Sequence, residues 1–209
     1  YFTVGYINGP VLRAIARLGF RQAMVCMKKD HQIFLDLASS LIQEVAEICF
    51  FARKNDLGAL LVADDIAGNR GLLFSHNDFA RTVLPLYKQI AGTIKANGLH
   101  AFFHSDGDTK VIIDSLIEAG YDCIHPIDAE AGLSLYELQK TFENKVSFMG
   151  HIDIINLHEE QIAREVSIAE NFFREGGLIL GSTCGLSMKT VSGKLRALYP
   201  QWEWRGQET

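Results

Sequence analysis

The sequence lacks the features that mark several common protein classes. Its 209 residues contain four cysteines, Cys26, Cys49, Cys123 and Cys184, and no C-x-x-C pair, so neither a disulfide framework nor a zinc ribbon is indicated. The apolar runs end well short of the ~18 residues that a membrane-spanning helix needs, and no signal peptide pattern is present. A formal net charge of -5 does not favour a nucleic-acid partner. We therefore expect a cytoplasmic globular protein that binds neither membrane nor nucleic acid.

Short β-rich runs alternate with longer segments of helical period, which is typical of βαβ units around a parallel sheet. The predicted strands are 2–7, 59–64, 100–105, 122–127, 146–151 and 177–182. The predicted helices are 30–55, with Asp30 as its cap, then 77–97, capped by Asn77 or Asp78, and 108–119, 134–142 and 158–174.

This alternation is compatible with an open doubly wound sheet or with a (β/α)8 barrel. The first strand is not followed by G-x-G-x-x-G, and the P-loop pattern G-x-x-x-x-G-K-[ST] is absent, so the usual nucleotide signatures of open sheets are missing. We therefore predict an α/β fold of the (β/α)8 TIM-barrel type. Only six strands are recognisable, so the barrel is expected to be incomplete, with residues 1–209 forming a single domain.

Polar side chains gather where the predicted strands end. The strand ends carry Asn8, Asp64, Asp65, His104, Asp106, Asp108, His125, Asp128, His151, Asp153 and Ser182. In barrels the catalytic groups come from the carboxyl ends of several different strands. This edge of the sheet is therefore the predicted site.

Five segments carry a resemblance to a known family. They are "DDIAGNRGLLFSHNDFARTVLPLYKQI", "HSDGD", "LIEAGYDCIHPIDAEAG", "FMGHID" and "GSTCGLS", and together they resemble the uroporphyrinogen decarboxylase superfamily. The resemblance implies a (β/α)8 barrel and two functional branches: porphyrinogen decarboxylases, and zinc-dependent methyltransferases that work with corrinoid proteins. It also implies that this chain corresponds to the C-terminal two-thirds of the family fold, with the N-terminal part missing.

A metal site is predicted from spacing and from this resemblance. Residues i and i+2 of a strand point to the same face, so His104 and Asp106 can converge on one ion, and Cys184 follows a strand that a closed barrel brings toward them. The methyltransferase branch carries H-x-C followed by a later cysteine, and Asp106 stands where its first cysteine is expected. We predict zinc held by His104, Asp106, Cys184 and a fourth ligand, Asp128 or Glu130. A bound zinc would activate a thiol, with the corrinoid supplied by a partner protein.

Further roles are assigned to the other residues at the strand ends. Asp64, Asp65 and His151 are predicted to be catalytic, and a structural ion pair of one aspartate with Arg70 is an equal alternative. The predicted substrate-binding residues are Asn8, Arg70, Asp153 and Ser182. His151 and Asp153 are equally well explained as stabilising a loop. Asp108 is better explained as a helix cap, and His125 is a weaker candidate ligand because alternation places it on a different face.

Three functions are compatible with these residues. The preferred one is a methyltransferase that moves a methyl group between a corrinoid protein and a thiol or methylated small molecule. A decarboxylase is the second, although the arginine-rich "RQAGR"-like segment that binds porphyrinogen carboxylates in that branch is absent. The third is a non-catalytic barrel that binds a small molecule or corrinoid. An incomplete barrel also leaves an open sheet edge, which predicts a homodimer.

Overall fold

Six parallel strands form the central sheet of the computed structural model, which describes residues 1–29, 31–183 and 192–201 of the chain. The order across the sheet is β1 (Val4–Asn8), β2 (Ala59–Ala63), β5 (His100–His104), β6 (Cys123–His125), β7 (Ser147–Ile152) and β8 (Leu178–Ser182). These are the six strands predicted from the sequence, and their parallel pairing confirms the α/β fold of an incomplete barrel. Within the described residues, β1 and β8 are the two outer strands.

Helices connect these strands. Those whose positions the sequence predicted are α3 (His31–Lys54), α4 (His76–Asp78) continuing through a π-helical turn into α5 (Leu84–Ala96), α6 (Ile113–Ala119), α7 (Leu135–Phe142) and α8 (Glu159–Phe172). The predicted cap of the first of them, Asp30, lies outside the described residues, whereas Ser75 rather than Asn77 or Asp78 caps α4. A further helix, α9 (Ser192–Leu198), follows β8. Among the described helices, none combines the length and apolarity that crossing a membrane requires.

Two helices between β1 and α3 were not predicted. Helix α1 (Pro10–Leu18) begins with proline at its first position, where the missing N–H costs nothing. Gly19, with φ of 76°, separates it from α2 (Phe20–Lys29). Both helices are shorter than the segments whose periodicity is easily read, so the sequence pattern alone did not reveal them.

A small antiparallel hairpin, β3 (Ala67–Gly68) and β4 (Gly71–Leu72), follows β2 and was also not predicted. Its two-residue strands carry no alternation to recognise. The hairpin lies against the loop after β5, because the backbone N–H of Asp108 donates to the carbonyl oxygen of Gly68 at 3.0 Å. It therefore forms one side of the region where the strands end.

The main core lies between the sheet and the helices. Alternate residues of the strands enter it, including Leu60, Val62, Phe103 and Phe148, which are at most 1% exposed. The residues between them, such as Leu61, Phe102 and Cys123, form a smaller cluster on the other face. This division is the period-two alternation of a strand that is covered on both faces.

The strand register aligns the carboxyl ends. Ala63 is paired with His104, and His104 with His125. Further along the sheet, Ile152 is paired with Ser182. Because all six strands are parallel, the loops that follow them meet at one edge.

Candidate functional site

A cavity of about 470 Å³ opens at the carboxyl edge of the sheet. Its walls come from the loops after five strands: residues 67–69, residues 106–107, residues 128–130, the segment from Asp153 to Asn156, and Thr183. Barrels of parallel strands bind their ligands at this edge. The cavity is therefore where the structure would accommodate a small molecule.

One imidazole and two carboxylates meet beside this cavity. The side chains of Asp65, His104 and Asp106 each offer one ligand atom, and the three atoms lie within 4.8 Å of one another. His104 Nε2 is 3.4 Å from Asp65 Oδ1. The hydrogen bond from His104 holds the pKa of Asp65 below its usual range, so Asp65 is ionised near neutral pH. Burial raises the pKa of Asp106, although the His104 ring opposes that shift.

A second histidine fixes the orientation of the first. His125 Nδ1 lies 2.6 Å from His104 Nδ1, and the two rings are stacked with centroids 4.9 Å apart. Burial, followed by the neighbouring His104, lowers the pKa of His125 to about 4, so this ring is neutral at pH 7. A hydrogen bond to the backbone of Ser182 opposes that shift. Nε2 of His104 thus faces Asp65, to which it donates a hydrogen bond. On metal binding Nε2 would give up that proton and ligate the ion, while Nδ1 would donate to His125.

The pairing of His104 with His125 differs from the alternation argument made from the sequence. That argument placed His125 on a different face from its neighbours, whereas register puts the two histidines side by side on adjacent strands. Alternation defines faces within one strand but does not set the register between strands. The signal available in the sequence was that "FFH" and "CIH" both end predicted strands in histidine.

The adjacent aspartates at the end of β2 have different surroundings. Asp64 is fully buried. Its Oδ2 accepts hydrogen bonds from Val11 N–H at 3.0 Å and Tyr87 O–H at 2.9 Å, and its Oδ1 accepts one from Leu12 N–H at 2.6 Å. Burial raises the pKa of Asp64 to about 7, and these hydrogen bonds act against the rise. Asp64 thus joins the start of α1 to the core, while Asp65 turns toward His104.

The close contact between α1 and Asp64 depends on Gly9. A β-carbon at Gly9 would lie 2.5 Å from the Cβ of Asp64. The Gly9 N–H also donates to the carbonyl oxygen of Ala63 at 2.6 Å. The motif "NGP" is therefore explained by the approach of the chain to Asp64. The alternative of an ion pair between Arg70 and one of these aspartates is not found among the described residues.

The loop after β5 is held against the hairpin. Ser105 Oγ accepts a hydrogen bond from Ile66 N–H at 3.1 Å and donates one to the Asp106 carbonyl oxygen at 2.9 Å. Gly107 has φ of 86°, and a β-carbon there would lie 2.7 Å from Gly68 N. Asp108 Oδ1 accepts from Lys110 N–H at 3.0 Å in a local turn. Its predicted role as the helix cap is wrong, because Thr109 is the residue before the short 3-10 helix Lys110–Ile112 that leads into α6. The glycine in "SDGD" is thus required by both conformation and space.

Two more predicted residues line the cavity without joining the three ligand atoms. Asp128 Oδ1 accepts hydrogen bonds from the N–H groups of Glu130 and Ala131. Asp153 Oδ1 accepts from those of Ile155 and Asn156. Both carboxylates shape their own loops. Asp128 as a metal ligand and Asp153 as a substrate contact stay predictions.

The remaining predicted substrate contacts lie outside the cavity wall. Asn8 ends the outer strand β1, and its carbonyl oxygen accepts a hydrogen bond from Arg13. Arg70 is exposed in the turn of the hairpin, next to Asn69, which does line the cavity. Ser182 ends β8 beside His125. Cys184, the predicted thiolate ligand, lies outside the described residues, so its role stays a prediction.

His151 faces the helices rather than the histidine pair. Its Nε2 lies 3.6 Å from Glu165 Oε2 on α8, and its ring packs edge-on against Tyr136 of α7 with centroids 5.7 Å apart. Burial lowers the pKa of His151, while Glu165 opposes that shift. The residue has φ of 92°, a left-handed conformation that is rare for side chains other than glycine. Its predicted catalytic role is not tested by these contacts.

The ligand atoms of the site fit a divalent cation. Imidazole nitrogen and carboxylate oxygen are both ordinary zinc ligands, and they also suit harder divalent ions. Asp65, His104 and Asp106 supply one nitrogen and two oxygens within 4.8 Å of each other. His125 supplies the outer hydrogen bond that metal-binding histidines usually have. Asp65 was predicted to be catalytic, so its place among the candidate ligands was not foreseen.

Comparison with known proteins places this geometry in a family. No curated protein matches the chain significantly. Among solved structures, the chain is similar to a methyltransferase from Methanosarcina mazei, with a TM-score of 0.79 and 17% identity. The match covers 94% of this chain and 57% of that one, so the chain spans little more than half the length of its structural neighbour. The family model for uroporphyrinogen decarboxylase (URO-D) matches residues 3–200. The chain therefore belongs to the uroporphyrinogen decarboxylase family.

Proposed function

We propose that this chain is a metal-dependent methyltransferase, which transfers a methyl group between a corrinoid carried by a partner protein and a thiol or methylated small molecule. The observation that carries the proposal is the convergence of Asp65, His104 and Asp106 beside a cavity at the carboxyl edge of the sheet. Membership of the family and the fold shared with a methyltransferase support it. Zinc is the proposed metal, with Cys184 as a further ligand.

The side chains of the site have separable tasks in this proposal. Asp65, His104 and Asp106 would hold the metal, which when bound lowers the pKa of a thiol and so favours its thiolate. His125 holds the His104 ring through the 2.6 Å contact between their Nδ1 atoms. Ser105 and Gly107 keep the loop of Asp106 close to the hairpin. Asp64 contributes by fixing the strand end from the opposite side.

The decarboxylase alternative is less well supported by the charges of the cavity. Its substrate in the family is a porphyrinogen, which carries several carboxylates that basic side chains must bind. Among the described residues that line the cavity there is no lysine, arginine or histidine, whereas Asp106, Asp128, Glu130 and Asp153 are present. Like charges repel, so this wall disfavours a polyanionic substrate.

Metal content tests the first half of the proposal. We expect about one zinc per chain after dialysis of the purified wild-type protein, measured by plasma mass spectrometry. His104→Ala should lose most of it. His100→Ala is the matched control, since His100 lies at the other end of β5 and faces Asp122. Equal metal in wild type and His104→Ala would contradict the proposed site, and Cys184→Ala would show whether the thiolate contributes.

Methyl transfer tests the second half. Metal-loaded protein is mixed with a methylated corrinoid protein and a small thiol, and thioether formation is followed with time. Turnover that is lost in His104→Ala and retained in His100→Ala is the expected result. Stoichiometric metal with tight ligand binding but no turnover would instead favour the non-catalytic binding barrel.

A further inference from the structure

The outer wall of the cavity is acidic even when the metal ligands are set aside. The two positive charges of a divalent ion would be neutralised by the carboxylates of Asp65 and Asp106 that hold it. Three further carboxylates, Asp128, Glu130 and Asp153, line the same cavity. Metal binding therefore does not neutralise the wall.

These three carboxylates are held in place by neutral donors. The side-chain amide of Asn156 donates to Glu130 Oε1 at 3.0 Å and to Asp153 Oδ2 at 2.8 Å, which ties the loop after β6 to the loop after β7. Asp128 Oδ1 accepts hydrogen bonds from the backbone N–H groups of Glu130 and Ala131. Amide donors satisfy hydrogen bonds but leave the negative charge uncompensated. The charge of the wall is thus available to a ligand.

Two cations lie near the rim. Lys194 Nζ donates to the backbone carbonyl oxygens of Ile154 and Ile155, at 3.2 Å and 2.8 Å. Arg70 is exposed in the hairpin turn. Neither forms a salt bridge with the wall carboxylates in the part of the chain that the structure describes. The three carboxylates that line the cavity outnumber these two cations, which lie outside its described lining.

We infer that this cavity selects a cationic small molecule, in which an ammonium or other onium group is bound by Asp128, Glu130 and Asp153. The inference rests on the proposed function, because it takes the cavity beside the metal ligands to be the substrate site. A volume of about 470 Å³ suits a compact ligand of this kind. Carboxylates at fixed positions attract a cation more strongly than a neutral molecule of the same shape.

Three probes of nearly the same shape test this inference. Choline, 3,3-dimethyl-1-butanol and 3,3-dimethylbutanoate carry one positive charge, no charge and one negative charge on similar branched groups. Dissociation constants are measured by ligand-observed NMR on the full chain, with and without added zinc. We expect choline to bind about tenfold more tightly than the alcohol, and the carboxylate to bind more weakly than both.

Neutral variants locate the effect. Asp128→Asn keeps the Oδ1 acceptor of its turn and removes the charge, so it should weaken choline binding severalfold, about threefold to tenfold, without changing the alcohol. Glu143→Gln is the matched control, since Glu143 lines a separate groove at the opposite edge of the sheet.

Equal binding of choline and the alcohol, preference for the carboxylate, or no binding of any probe would each overturn the inference. Zinc content is measured in the same samples. Choline binding without zinc uptake would count against the proposed function and leave the inference standing.

Discussion

The two edges of the sheet handle charge in opposite ways. At the amino edge, a groove of about 440 Å³ is lined by both signs, including Lys140, Lys145, Glu143 and Glu175, and Asp122 there pairs with Lys95 at 2.8 Å. At the carboxyl edge, carboxylates gather around His104 without a basic side chain among the described lining residues. Pairs of opposite charges are typical of a surface whose role is structural. An unbalanced group of acids costs stability, which a bound cation would recover.

The largest expected effect at the carboxyl edge comes from Gly107. Gly107→Ala places a β-carbon 2.7 Å from Gly68 N at a left-handed φ of 86°. The loop must move, so we expect the free energy of unfolding to fall by about 3 kcal/mol and metal binding to be lost with it. Denaturant unfolding and metal analysis measure the two effects.

Gly132 provides the control for this change. Its φ of 84° is almost the same, but a β-carbon there meets nothing within 4 Å. Gly132→Ala should cost only the backbone strain, about 1 kcal/mol, with metal content unchanged. Equal losses in the two variants would show that the contact with the hairpin is unimportant.

Asp64→Asn separates the structural aspartate from its neighbour. The amide NH₂ would face N–H or O–H donors, so we expect the free energy of unfolding to fall by about 1–3 kcal/mol. Burial raises the folded pKa of Asp64 from 3.8 to about 7. The unfolded state therefore releases the proton first, and the stability contributed by Asp64 is present below pH 4 and declines as pH rises to about 7.

The difference in stability between wild type and Asp64→Asn should thus be largest near pH 4 and smaller at pH 8. Denaturant titrations across this range measure it. Asp65→Asn is the comparison, since the pKa of Asp65 is lowered instead. The small stability contributed by this half-exposed carboxylate is present at neutral pH and lost as pH falls, which is the opposite trend, and the variant should also lose metal. A difference for Asp64→Asn that grows as pH rises would contradict the assignment.

His125→Phe tests the outer contact of the metal ligand. Phenylalanine keeps a ring against His104 but removes Nδ1, so metal affinity should drop about 10- to 100-fold. His125→Asn places an acceptor near the position of Nδ1 and should recover part of the affinity. Competition with a chelator of known affinity measures both. If Phe and Asn variants bind metal equally well, His125 contributes packing and not orientation.

The smallest effect is expected at the amino edge. Lys95→Gln removes the salt bridge with Asp122, whose side chain is 29% exposed while that of Lys95 is 47% exposed. We expect the free energy of unfolding to fall by less than about 1 kcal/mol. Glu130→Gln, the matched neutralisation at the carboxyl edge, should leave stability unchanged or raise it by a few tenths of a kcal/mol, about the size expected from relieving like-charge repulsion. A loss of similar size in both variants would remove the contrast between the two edges.

Much of the fold could be predicted from the pattern of residues, because long helices and buried strands carry their period in the chain. The six strands and the main helices between them lie where the spacing of apolar residues indicated, although the predicted cap Asn77 or Asp78 is replaced by Ser75. Helices α1 and α2 and the hairpin were missed, since their segments are short and their boundaries depend on Gly9, Gly19 and Gly107 meeting particular neighbours or conformations. Such contacts are not visible in a linear sequence.

The sequence by itself determined that histidines and carboxylates stand at the ends of parallel strands, and therefore at one edge of the sheet. Only the tertiary structure decided which of them meet. Register placed His125 against His104, and the packing of α1 drew Asp64 into the core while Asp65 turned to the site. The physical reason is that alternation is a property of one strand, whereas register and helix packing arise from contacts between distant segments.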